Sequence, residues 1–327
     1  GLCYTSGTTG NPKGVLYSHR SNVLHAMMVT AKGVLGVGPD DVVMPVVPMF
    51  HANAWGLAFA CPAAGAKLVM PGGQLDGASI YELLDREKVT ITAAVPTVWL
   101  GLLDHLRTHD LRLPYLERVV IGGSALPEAV LRAFEEDYGV EVVQGWGMTE
   151  TSPIGTISGV PATLATGDGF AHKLKQGRPP FGVELRIVDD KGGEMPWDGA
   201  TPGRLLIRGF AVASGYINGA GGDILDVDGF FDTGDVATID EHGAMQITDR
   251  AKDVIKSGGE WISSIAIENI ALSHPAVANA AAIGVPHPKW DERPVLVVET
   301  RPGMTVAEAD LRVFLDGRIA RWWMPDT

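Results

Sequence analysis

Between residues 42 and 144 short apolar runs alternate with longer segments of helical pattern. Residues 42–47, 67–70, 90–95, 118–121 and 142–144 read as strands. Helices are expected at 18–32, with Ser18 as its cap, and at 54–66, 77–87 and 97–108. A further helix is expected to open at Pro127 and end before Gly139. Continuous apolar runs suit parallel strands covered on both faces. The alternation therefore predicts a doubly wound α/β layer. Pro45 conflicts with this pattern, because proline cannot donate to a ladder.

After about residue 154 the pattern changes. Short strands at 184–188, 203–207 and 244–247 are separated by turn residues, which predicts a small β-barrel or sandwich. Residues 249–253 are charged and form the candidate linker. A helix at 264–273, strands at 277–285 and 295–300 and a helix near 306–318 then predict a small α+β domain. The expected organisation is 1–249 as part of a large domain, α/β to about 155 and β-rich over 175–248. Residues 250–327 are expected to be an incomplete second domain.

Lys and Arg number 26 against 39 Asp and Glu, a net charge of −13. This argues against a nucleic-acid binder, which needs a basic footprint. No apolar run has membrane-spanning length. Cys3 and Cys61 lie among small or apolar residues and read as buried free thiols. With no secretory signal, a reducing cytoplasm is the expected location. The chain begins at Gly1 and ends at Thr327 without tails, so it is expected to be an internal piece of a longer protein.

Thr5-Ser6-Gly7-Thr8-Thr9-Gly10-Asn11-Pro12-Lys13-Gly14 holds four hydroxyls, three glycines and one lysine. Glycine lets the backbone approach a ligand, and successive N–H groups form an anion site. Lys13 adds a point charge suited to phosphate. The stretch is not a Walker A loop, which needs Gly-Lys-Ser/Thr opening a helix; residues 15–17 read as strand. Two further motifs follow strands: Gly122-Gly123-Ser124 and Gly145-Trp146-Gly147-Met148-Thr149-Glu150-Thr151. Ligands bind beyond the carboxyl ends of such strands. Trp146 offers a face for a base. Thr149 and Glu150 offer oxygens for Mg²⁺ bound to phosphate.

The ten-residue loop resembles the phosphate loop of the adenylate-forming superfamily, and Gly145–Thr151 resembles a second core motif of that family. The resemblance implies that Trp146 stacks on adenine, Thr149 contacts the α-phosphate and Glu150 binds Mg²⁺. Phe231-Asp232-Thr233-Gly234-Asp235 resembles the family's ribose motif, with Asp235 as acceptor. The segment from Asp249-Arg250-Ala251-Lys252 to Gly258-Gly259-Glu260-Trp261 resembles the hinge and the start of its mobile domain. Arg250 would reach the ribose and Lys252 would serve as hinge. His51 stands where amino-acid-activating relatives usually place an Asp. Trp55 resembles the aromatic gate of fatty acyl-CoA synthetases. Gly258, Gly259, Glu260 and Trp261 join His51 and Trp55 as acyl or CoA candidates. Lys13, His51, Thr149 and Glu150 are the expected catalytic set.

The implied activity is conversion of a carboxylic acid, expected to be fatty, to acyl-AMP and then acyl-CoA, with ATP, Mg²⁺ and CoA. Aryl or methylthio acids, carrier-protein loading, a luciferase-like oxygenase and a non-catalytic nucleotide binder stay open. A homodimer of the longer protein is also expected. The family's late catalytic lysine has no match, since the last lysine is Lys289. The chain alone is therefore expected to adenylate poorly.

Overall fold

The computed structural model describes residues 1–5, 11–159, 169–258 and 260–327. Ser6, Gly7, Thr8, Thr9, Gly10 and Gly259 lie outside the described residues. Strands β1 (Leu2–Thr5) and β2 (Lys13–Leu16) form an antiparallel hairpin in which Thr5 faces Lys13. The strand expected at 15–17 starts two residues earlier and ends at Leu16, so Tyr17 lies just beyond it and Lys13 opens β2.

Strands β3 (Val42–Pro45), β4 (Lys67–Leu68), β5 (Ile91–Ala94), β6 (Arg118–Ile121), β7 (Glu141–Gly147) and β8 (Ile154–Ile157) build a six-stranded sheet. Its order is β4–β3–β5–β6–β7–β8. The first five strands in that order pair in parallel, and β8 runs antiparallel to β7. Pro45 fits because β4 pairs only with Val42 and Val43, while Pro45 faces Ala93 on the other side. Its missing N–H thus meets no neighbour on the β4 side.

The helix Pro96–Thr108 turns Trp99, Leu102, Leu103 and Leu106 to the core at spacings of three and four. Pro96 occupies its first turn, where an absent N–H costs nothing. Trp99 meets Phe134 edge-on at 5.8 Å. Burial of each such side chain stabilises the layer by roughly 1.5–3 kcal/mol. Ser18 caps the helix His19–Thr30, its side chain accepting from Ser21 N at 2.9 Å.

The run 54–66 departs from the expected single helix. Ala52–Trp55 is a left-handed turn and the right-handed helix covers only Leu57–Ala64. Gly56, at φ 78°, makes the reversal between them. Small residues alone do not specify handedness, so composition could not show this break.

Beyond residue 169, strands β9 (Val183–Val188), β10 (Gly203–Gly209), β11 (Phe231–Ile239) and β12 (Met245–Arg250) form a sheet ordered β12–β11–β10–β9. The ribose-like motif thus begins a nine-residue strand. Strands β13 (Ile255–Ser257), β14 (Glu260–Ile262), β15 (Val277–His287) and β16 (Asp291–Thr300) form a sheet ordered β14–β13–β16–β15. The helices Ser264–Leu272 and Glu308–Leu315 accompany it. The chain divides into two compact units. One comprises Gly1–Leu185, Leu206–Phe231 and Asp240–Gln246; the other comprises Arg186–Leu205, Asp232–Ile239 and Ile247–Thr327. No helix among the described residues is long and apolar enough to cross a membrane. Cys3 and Cys61 are buried and free, and burial pushes the Cys61 thiol up to about 11.

Candidate active site

In the first unit, β6 and β7 deliver their carboxyl ends to one cavity of about 170 Å³. Gly122 and Gly123 come from beyond β6; Gly145, Trp146, Gly147, Met148 and Thr149 come from the end of β7. His51, just before the left-handed turn, and Trp55, within it, also line this cavity. Ser124 is exposed and does not line this cavity. Two glycines make the geometry possible. A Cβ on Gly155 would lie 2.4 Å from Trp146 Cζ3, and one on Gly122 would lie 3.1 Å from Trp55 Cη2. Each is closer than ordinary packing tolerates. Both indoles therefore depend on an absent side chain across from them.

Glu150 follows in the short turn Thr149–Thr151 and is 4% exposed. Its Oε1 accepts the Tyr216 hydroxyl at 2.6 Å, and its carbonyl accepts Ala213 N at 2.7 Å. The Tyr17 hydroxyl donates to the Thr149 carbonyl at 2.6 Å. Burial pushes both phenols far above their ordinary value, and the neighbouring Glu150 charge adds to this. Each phenol thus stays a donor at neutral pH. Lys13 Nζ sits 4.9 Å above the Tyr216 ring. The structure thereby joins Lys13 and Glu150, which the motifs singled out, through a tyrosine they did not.

Among the described residues no group of three or more His, Cys, Asp or Glu is placed to hold a metal ion. Mg²⁺ that keeps waters and phosphate oxygens needs only one or two carboxylates. Glu150, buried next in the chain to the cavity-lining Thr149 and with one oxygen already hydrogen-bonded, suits that arrangement.

His51 is exposed and its ring lies 4.6 Å from that of Phe50. The turn it precedes holds Ala52, Asn53, Ala54 and Trp55 at φ 41°, 57°, 52° and 55°. Such angles cost an L-residue about 1–2 kcal/mol each. Hydrogen bonds from Trp55 N to His51 O at 3.2 Å and from Gly56 N to Ala52 O at 3.0 Å hold the turn.

The second unit carries the other candidates. Arg250 Nη1 lies 2.8 Å from Asp235 Oδ1, and the Asp235 side chain is 3% exposed. Thr233 Oγ1 accepts from Asp235 N at 3.1 Å and donates to the Leu205 carbonyl at 2.8 Å. Lys252 is exposed in the turn after β12, 3.8 Å from Asp253. Asp249 is buried and accepts from Ser264 N at 2.6 Å and Ser264 Oγ at 3.1 Å. Desolvation still holds its carboxyl above the usual range, against those hydrogen bonds. Gly258, at φ 61°, donates to the Trp290 carbonyl at 2.7 Å. Glu260 opens β14 opposite Ser257. Trp261 receives Lys256 Nζ at 5.5 Å over its ring and lines a separate cavity of about 530 Å³. That larger cavity holds none of the expected nucleotide-binding residues, so size does not identify the site.

The motifs missed Tyr17 and Tyr216 because nothing local marks them. Tyr216 meets Glu150 across 66 residues, and Tyr17 meets Thr149 across 132.

Known proteins with the same arrangement of segments supply the family. Residues 266–327 match the AMP-binding enzyme C-terminal domain. The chain is 53% identical to a 3-methylmercaptopropionyl-CoA ligase of Ruegeria lacuscaerulensis, over 99% of this chain and 61% of that protein. It is 49% identical to a medium-chain-fatty-acid–CoA ligase of Ectopseudomonas oleovorans, over 99% and 60%. The o-succinylbenzoate coenzyme A synthetase of Bacillus subtilis, in complex with ATP and magnesium ion, superposes with TM-score 0.85 at 27% identity. That match covers 99% of this chain and 64% of the other. The chain thus spans less than two thirds of the length of these relatives. Residues 1–217, which include the hairpin, the six-stranded sheet and the Glu150 turn, match the AMP-binding enzyme model, and the chain belongs to that family.

Proposed function

We propose that the protein carrying this chain activates an apolar carboxylic acid with ATP and passes the acyl group to CoA. The observation that carries this reading is the single cavity of about 170 Å³ shared by the Gly122–Gly123 and Gly145–Thr149 segments with His51 and Trp55. Nucleotide-type and acid-type residues then act on one space. Holding carboxylate and phosphate together there replaces covalent catalysis with proximity.

In the first step a carboxylate oxygen attacks the α-phosphorus of ATP and pyrophosphate leaves. In the second the CoA sulfur, having lost its proton, attacks the acyl carbonyl and AMP leaves. Trp146 stacks on adenine, Thr149 contacts the α-phosphate, and Lys13 with the 5–14 segment binds the outer phosphates. Asp235 accepts from the ribose hydroxyls and Arg250 orients it. Glu150 would hold Mg²⁺, which supplies charge neutralisation on the phosphates. His51 and Trp55 face the acid and offer no carboxylate to an α-amine. Gly258 to Trp261 serve the CoA step, and Lys252 is the hinge of a small domain beginning near residue 250. The cytoplasm suits two buried free thiols.

The similarity to the methylmercaptopropionyl and medium-chain ligases favours short and medium apolar acids, methylthio acids included. The test is AMP release, with and without CoA, from aliphatic acids of two to sixteen carbons and from aryl and methylthio acids. CoA-dependent release that peaks within the short to medium apolar set is expected. ATP binding without AMP release for any acid overturns the reading.

A further inference from the structure

Tyr216 is absent from every motif above, yet it touches two of their residues. Its backbone bridges Val15 in antiparallel register. Val15 and Lys13 are two apart on β2 and share a face of that strand. The register therefore brings the Tyr216 ring under Lys13, whose Nζ lies 4.9 Å from the ring centroid. That is within the range of a cation–π contact. Gly221 bounds the same ammonium, since a Cβ there would lie 3.3 Å from Lys13 Nζ. At its other end the phenol donates to Glu150 Oε1 at 2.6 Å.

One side chain thus links the ammonium of the hairpin to the carboxylate of the β7 turn. The hydroxyl takes one carboxylate oxygen in a charge-assisted hydrogen bond and limits how the group rotates. A cation on Glu150 is then directed to Oε2. The Glu150 main chain is held from the same segment, through Ala213 N.

We propose that Tyr216 is a positioning residue that sets Glu150 and Lys13 as one polyphosphate-binding pair. Its hydroxyl orients the carboxylate toward the phosphate-bound cation, and its ring seats the ammonium beside it. The proposal rests on the nucleotide reading given above and adds a residue that the reading does not need.

Two variants separate the two contacts. Tyr216→Phe removes the hydroxyl and keeps the ring; Tyr216→Leu removes both. ATP binding is measured by calorimetry with and without Mg²⁺ on the protein carrying this chain, with circular dichroism as the check on folding. Tyr216→Phe is expected to weaken Mg²⁺–ATP binding about tenfold, the effect of one hydrogen bond to a charge, and to leave metal-free ATP binding within about twofold. Tyr216→Leu is expected to weaken both. In a Glu150→Gln background, Tyr216→Phe is expected to change the metal dependence no further. An unchanged Mg²⁺ enhancement in Tyr216→Phe overturns the proposal. Equal weakening with and without metal, or failure of that variant to fold, assigns Tyr216 a structural role and also overturns it. Failure of the unmodified protein to bind ATP at all overturns the nucleotide reading, and the proposal with it.

Discussion

His25 is 2% exposed in the helix His19–Thr30, and Ile154 N–H donates to its Nε2 at 3.3 Å. Burial pushes its pKa down from 6.5 to about 4, so the ring is neutral in the folded chain. The unfolded chain binds a proton near pH 6.5 that the folded chain refuses until about pH 4. Stability is therefore complete above pH 6.5 and falls as pH drops through that window, by about 3 kcal/mol in all. Denaturant midpoints taken across the window are expected to show this acid limb. His25→Leu is expected to flatten it, even though stranding the Ile154 N–H lowers stability at neutral pH. A limb unchanged in the variant assigns the acid sensitivity to other groups. Side chains of this kind divide by how far away their cause lies. Trp146 and Glu150 could be named as candidates because a glycine-rich string after a strand marks them. The neutrality of His25 was not, because it follows from what packs around the ring.

At the scale of elements, the left-handed turn Ala52–Trp55 is the clearest departure from local expectation. Asn53 is only partly buried and sits at φ 57°. Asparagine tolerates that region, whereas a β-branched residue does not. Asn53→Val is expected to destabilise the protein by about 1–2 kcal/mol, and Asn53→Gly to change stability by less than about 0.5 kcal/mol. Urea unfolding with an unchanged m-value checks both. A Val variant as stable as the parent removes the strain argument. The strand–helix alternation before it was legible, since period and turn residues are local. Pro45 shows the limit: its acceptability depends on how short β4 is, which no property of Pro45 reveals.

For the whole molecule, the domain boundary proposed near residue 250 falls inside the second compact unit. There Ala251 N donates to the Gly234 carbonyl at 3.0 Å, and Asp249 is tied to Ser264. Lys252 lies exposed between these anchors, at the position proposed as the hinge. Lys252→Pro fixes φ near −65°. It is expected to leave pyrophosphate release within about threefold and to slow thioester formation at least about tenfold, as for a gating step. Equal loss in both half-reactions counts against the hinge. The amino-acid sequence by itself determined the parallel layer, the order of the nucleotide motifs and the family, because each is written in neighbouring residues. Only the tertiary structure decided that Tyr216 spans Lys13 and Glu150, that Asp235 meets Arg250, and that residues 52–55 wind left-handed. The first two arise from contacts between segments apart in the chain, which no local period encodes; the third is a backbone handedness that hydrophobic period and composition do not specify.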